Sequence, residues 1–143
     1  MMQRSRQKRH REAGFTLVEL LVVLVILVLL ASIIGPRVIG YLGSSRAKTA
    51  KIQVESLVTS LELFHIDVGR YPTSAEGLDA LVRNGSGIAG WSGPYINKGD
   101  VPLDPWGKPY KYESPAADRP FTVYTFGRDG KEGGSDEDSD IKS

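Results

Sequence analysis

Cysteine is missing from all 143 residues. A disulfide framework is thereby excluded, and cysteine-ligated zinc with it. Histidine is nearly as scarce, with only His10 and His65. His10 falls in a basic head, and His65 lies near the expected end of a helix, where a packed or capping role suits it better than catalysis. No nucleophile motif is present, and Gly85-Ser86-Gly87 lacks the strand-helix setting of a phosphate cradle. The chain is therefore expected not to be an enzyme. Charge, too, is missing over a long stretch, residues 20–34.

What is present is unevenly placed. The formal charge of +1 hides five basic residues (Arg4, Arg6, Lys8, Arg9, Arg11) at the start, against one acid, Glu12. Six acids crowd between Asp129 and Asp140. A basic head directly before an apolar run is the signature of a retained cytoplasmic end, so topology explains it better than nucleic-acid binding. The length leaves room for one small domain plus an anchor. Small domains of that kind have thin cores and often lean on a metal or on oligomerisation.

The chain divides by composition into a basic leader (1–14), an apolar helix (15–36) and a polar head (37–143). Phe15 to Ile34 is about 30 Å long as a helix, which matches the hydrocarbon thickness of a bilayer. Pro36 should kink the helix and not end it, because helical patterning resumes beyond it. Val54, Leu57, Val58 and Leu61 follow the i, i+3, i+4, i+7 spacing of one buried face, with Phe64 close to it. Gly69 supplies the stop. Thr73-Ser74-Ala75-Glu76 has the capping-box form and predicts a short helix over 74–83, with Leu78, Leu81 and Val82 toward the core. Asn84 to Pro105 reads as a long loop. Lys108 to Glu113 and Phe121 to Phe126 read as strands, and Gly127 to Ser143 shows no periodicity. The expected fold is α+β, a long N-terminal helix packed on a small antiparallel sheet.

Glu19 is the anomaly in the apolar run. A carboxylate at the centre of a spanning helix costs about 2.5–3.5 kcal/mol, and less near an interface, so it marks a functional site by default. A secretory signal peptide does not account for it: the run is too long and no small-x-small cleavage site follows promptly. A cut between Gly14 and Phe15 makes sense of the pattern. It removes all five head charges and leaves the new amine of Phe15 about one turn from Glu19. Between neighbouring copies, that amine and that carboxylate offset much of each other's desolvation, and so act as a register device.

Gly14-Phe15-Thr16-Leu17-Val18-Glu19 and the run behind it resemble the class III signal of type IV pilins and type II secretion pseudopilins. The resemblance implies that a prepilin peptidase cuts after Gly14 and N-methylates Phe15. It also implies that Phe15, Glu19 and Pro36 serve assembly. Tyr71-Pro72-Thr73, Glu76-Gly77-Leu78-Asp79-Ala80-Leu81, Leu103-Asp104-Pro105-Trp106-Gly107-Lys108-Pro109-Tyr110 and Phe126-Gly127-Arg128-Asp129-Gly130-Lys131-Glu132-Gly133-Gly134 are similar to the major pseudopilin family of type II secretion. The implied function is the structural major subunit of a pseudopilus that polymerises from the inner membrane and pushes folded proteins through an outer-membrane secretin. Its implied partners are further copies of itself, minor pseudopilins, an inner-membrane assembly platform, the peptidase and secreted cargo, with no nucleic acid. An adhesive or motility pilin of the type IV class and a monomeric, membrane-anchored calcium-binding module are the competing readings.

The acidic tail has two readings from its residues alone, a solvated surface or a calcium loop. Crowded carboxylates repel, and calcium takes six to eight oxygens from carboxylates and carbonyls. The spacing is not that of an EF-hand, since Lys131 and Gly133 fall on ligand positions. The resemblance implies structural calcium on Asp129, Asp136 and the Phe126 carbonyl, with Asp138 and Asp140 as further candidates. In the family an Ile-Gly-Asn-Trp ending follows, where this chain has Ile141-Lys142-Ser143.

Overall fold

A computed structural model describes residues 14–97 and 99–143. The chain forms two units, the first ending at Ile39 and the second comprising Gly40–Ser143. One helix, α1 (Leu17–Val68), supplies residues to both and runs through Pro36 without ending. A single proline deletes only one intrahelical donor, which the bonds on either side tolerate.

In the first unit every large apolar side chain from Leu17 to Ile34 is exposed. This stretch is long and apolar enough to cross a membrane. Its one hydroxyl after the first turn, Ser32, bonds back to the Leu29 carbonyl at 2.7 Å.

The second unit has its own core. Val54, Leu57, Leu61 and Phe64 line one face of α1 and join Leu78, Leu81, Ile88, Tyr110, Phe121 and Val123 in a single cluster. Each such side chain, fully buried, contributes about 1.5–3 kcal/mol. Val58, expected in the stripe, packs at its margin. Ser60 is the polar residue on this face, and its hydroxyl donates to the Tyr95 carbonyl at 3.0 Å. Gly69, at φ 82°, stops α1, and its N–H donates to the His65 carbonyl at 2.8 Å. His65 stacks on Tyr71 with ring centroids 4.5 Å apart.

The helix expected over 74–83 is reduced to a 3-10 turn, Leu78–Leu81. Its capping box nevertheless forms: Thr73 N donates to Glu76 Oε2 at 2.8 Å and Glu76 N to Thr73 Oγ1 at 3.2 Å. Gly77 then adopts φ 62°, ψ −167°, which takes the backbone off the helical path. Glu76 has gained a second role. Its two oxygens accept from the Arg70 guanidinium at 2.7 and 2.8 Å, and that pair, helped by Thr73, pulls its pKa down to about 2.

Three short strands make one antiparallel sheet in the order β1-β2-β3: β1 (Lys111–Glu113), β2 (Thr122–Thr125) and β3 (Ile141–Lys142). Tyr112 pairs with Val123, and Thr125 with Ile141. Along β2, Val123 and Thr125 face inward while Thr122 and Tyr124 are half-buried on the other side. The two expected strands are thus present but shorter: Pro109 forms only an isolated bridge with Leu103, and Phe121 and Phe126 lie just outside β2. The third strand lies inside the tail read as aperiodic. The described residues of 84–105 form a loop, as expected, pinned by side chains: Trp91 Nε1 donates to the Ala80 carbonyl at 2.7 Å and Tyr95 Oη to Asp67 at 2.9 Å.

Candidate functional site

Two places collect the residues singled out from the sequence. The first is the start of α1. The leader expected over 1–14 lies, but for Gly14, outside the described residues. Gly14, Phe15 and Thr16 precede the helix, so Phe15 stands two residues ahead of its first helical position. Thr16 caps the helix: its Oγ1 accepts from Glu19 N at 3.1 Å, and Leu20 N donates to its carbonyl at 3.1 Å. Sequence reasoning passed over this residue, although Thr-x-x-Glu is a capping string. Glu19 sits in the first turn, where the helix N-terminus favours a negative charge.

The second place is the loop between β2 and β3. Four of its glycines, Gly127, Gly130, Gly133 and Gly134, have φ between 69° and 92°, and Asp136 shares the left-handed region at φ 53°. At Gly127 the requirement is also steric, since a Cβ there would meet the Glu137 carbonyl oxygen at 2.5 Å. The two arms are tied through Arg128 N, which donates to the Glu137 carbonyl at 2.8 Å.

The expected ligands take separate partners. Asp138 accepts both arms of the Arg128 guanidinium at 2.9 Å, which holds its carboxyl below the usual range and raises the arginine. Asp140 accepts from Gly133 N at 3.1 Å and lies 3.4 Å from Lys142 Nζ. Asp129 accepts from Lys131 N at 3.0 Å, and the Asp136 carbonyl accepts from Ser139 Oγ at 2.7 Å. Among the described residues no three carboxylates or imidazoles stand together as a metal cluster. The loop nevertheless offers only oxygen donors, the chemistry a hard cation takes. One cation already uses them: Lys108 Nζ donates to the Arg128 carbonyl at 2.6 Å. The residues fit calcium in kind.

Glu137 was not singled out from the sequence, yet it anchors the loop. Its side chain is 14 % exposed, and its Oε2 accepts from Trp106 Nε1 at 3.3 Å. Arg46 and Arg128 approach the same oxygen at 3.9 and 4.0 Å. Its carboxyl group presses on α1 at Gly43, where a Cβ would lie 2.1 Å from Oε1. Gly43 is buried within α1, and nothing in the sequence around it marks the approach of Glu137.

The turn supplying Trp106 is itself built on a buried side chain. Asp104 Oδ1 accepts from Trp106 N at 3.0 Å and Lys108 N at 2.8 Å, and its Oδ2 accepts from Thr125 Oγ1 at 2.5 Å. Gly107 closes the turn at φ 81°, its N–H donating to the Asp104 carbonyl at 2.9 Å.

The family model for type II secretion system (T2SS) protein G matches residues 37–143, the whole stretch holding the core, turn and loop just described. The chain belongs to this family. The prokaryotic N-terminal methylation motif matches residues 9–35. Among curated members, the type II secretion system core protein G of Pseudomonas aeruginosa is 39 % identical, over 94 % of this chain and 96 % of its own length. That of Vibrio cholerae is 36 % identical, over 94 % and 93 %. The crystal structure of the major pseudopilin from the type 2 secretion system of enterohaemorrhagic Escherichia coli superposes with a TM-score of 0.60 at 26 % identity. It covers 73 % of this chain and 91 % of its own. The long helix and small antiparallel sheet are thus the fold of this protein G family, a structural family of a secretion apparatus. Its exposed apolar helix fits membrane anchoring.

Proposed function

We propose that the chain is the structural major subunit of a type II secretion pseudopilus, polymerising from the inner membrane to push folded proteins through an outer-membrane secretin. The observation that carries this reading is an apolar helix surface bare from Leu17 to Ile34, with Glu19 the one charge upon it. Such a surface needs lipid before assembly and neighbouring copies after it. The basic residues 4–11 keep the leader cytoplasmic and send the head, with residues 37–143, to the periplasm. Prepilin peptidase removes 1–14, and Phe15 becomes the N-methylated end. Further copies, minor pseudopilins, the assembly platform and cargo are the other partners, and the chain catalyses nothing itself.

Processing gives a direct test. Protein extracted from cells holding the peptidase should begin at Phe15, with a mass raised by one methyl group. An intact Met1 in such cells sinks the assignment.

The second part of the proposal is structural calcium in the β2–β3 loop, held by Asp129, Asp136 and the Phe126 carbonyl, with Asp138 and Asp140 as further ligands. The ion would bring Asp129 and Asp136 the positive partner that Arg128 and Lys142 already bring to Asp138 and Asp140. A ligand at a hundred times its Kd stabilises by about 2.7 kcal/mol. For a domain of this size that is a Tm shift on the order of 10 °C. Adding EGTA to the calcium-loaded, detergent-solubilised chain should lower Tm by that amount, and an unmoved melt excludes the ion.

A further inference from the structure

The Lys108 ammonium, already seen on the loop, has the environment of a bound ion. Its Nζ donates to the Arg128 carbonyl at 2.6 Å and lies 3.4 Å from that of Gly127. Gly130, at φ 71°, leaves the space it occupies, for a Cβ at that position would sit 2.6 Å from Nζ. The stem is fixed at its root by Asp104, whose carboxylate accepts from Lys108 N and whose own N–H donates to the Lys108 carbonyl, both at 2.8 Å. The turn thus sets the Lys108 backbone, and the four-carbon stem is ordered when its ammonium meets the loop carbonyls. We propose that Lys108 is the built-in cation of the β2–β3 loop, an ammonium that holds residues 127–130 in place without metal.

The arrangement divides labour between two cations. Lys108 binds the carbonyls of 127 and 128, while the Arg128 guanidinium reaches across to Asp138 on the other arm. The loop is thereby stitched to the Asp104 turn on one side and to itself on the other. Charge-assisted bonds of this kind are about twice as strong as neutral ones. Lys108 is a positioning residue, and it sets how far the loop depends on an added cation. That dependence rests on the calcium proposal; the ammonium's role in the metal-free chain does not.

Hydrogen exchange on the full chain in detergent separates the two. Lys108→Met keeps most of the stem and deletes the charge. In EGTA it should lower the protection of Arg128, Asp138 and Ser139 amides by roughly tenfold or more, while Val54–Phe64 stays protected. Millimolar calcium should restore protection in this variant more than it raises it in the wild type. If calcium moves neither protein, the ion proposal fails and the lysine's role stands. Unchanged loop protection in Lys108→Met under EGTA overturns the role itself. Should Lys108→Met loosen the core as well, Lys108→Arg decides, because it keeps the charge: loop protection lost there too would sink the proposal.

Discussion

Cells carrying the Glu19→Ala chain should assemble no fibres, while the unit from Gly40 to Ser143 melts as in the wild type. Removing a carboxylate from an apolar helix makes insertion easier, by up to about 2.5–3.5 kcal/mol, so anchoring is not what fails. What fails is pairing. In the proposed filament the Phe15 ammonium of the neighbouring copy is left without its counter-charge in a low-dielectric bundle. Breaking such a buried pair costs about 3–5 kcal/mol. At each subunit addition that is a factor of roughly a hundred to a few thousand, enough to stop growth altogether. The head is spared because its core, from Val54 to Val123, contains no residue before Gly40. Electron microscopy of cells overproducing the variant reads the result, and fibres of normal length and number would refute the pairing. Glu19→Asp, which keeps the charge on a shorter stem, should recover fibres in part.

The second large effect belongs to Asp104→Ala. Asp104 is 4 % exposed and satisfies two backbone N–H groups and one hydroxyl. Truncation strands all three at about 1–3 kcal/mol each, less whatever water recovers. A loss of about 4 kcal/mol is a large share of the stability of a small domain and lowers Tm by roughly 15 °C or more. Asp104→Asn retains one acceptor oxygen and should lose far less. Comparable melts for the alanine variant and the wild type would show that the turn stands without its carboxylate.

Much of this was legible beforehand for identifiable reasons. The face of α1 announced itself by helical spacing, and its end by a glycine that needs positive φ. The Asp104–Gly107 turn was visible because proline and glycine each fix a backbone angle. Expectation parted from structure where local signals were too short or were overruled. Two residues, Ile141 and Lys142, cannot display an alternation, so β3 is recognisable only from its pairing with β2. The capping box at Thr73 promised a helix, and Gly77 redirected the chain before one could grow. In the acidic loop, charge density left a solvated surface and a calcium loop both open, and the pairing of Asp138 with Arg128 and of Asp140 with Lys142 follows from how the loop folds back, which no spacing displays. Glu137 and Gly43 lie far apart in sequence, and no pattern along the chain joins them.

A helix whose exposed surface from Leu17 to Ile34 is apolar but for Glu19 and Ser32 makes loose copies insoluble in water but mobile in lipid. The reservoir feeding a growing fibre is then a two-dimensional one. Elongation should follow the number of copies per area of membrane, and diluting the bilayer with added lipid should slow it even when the cell's total stock is unchanged.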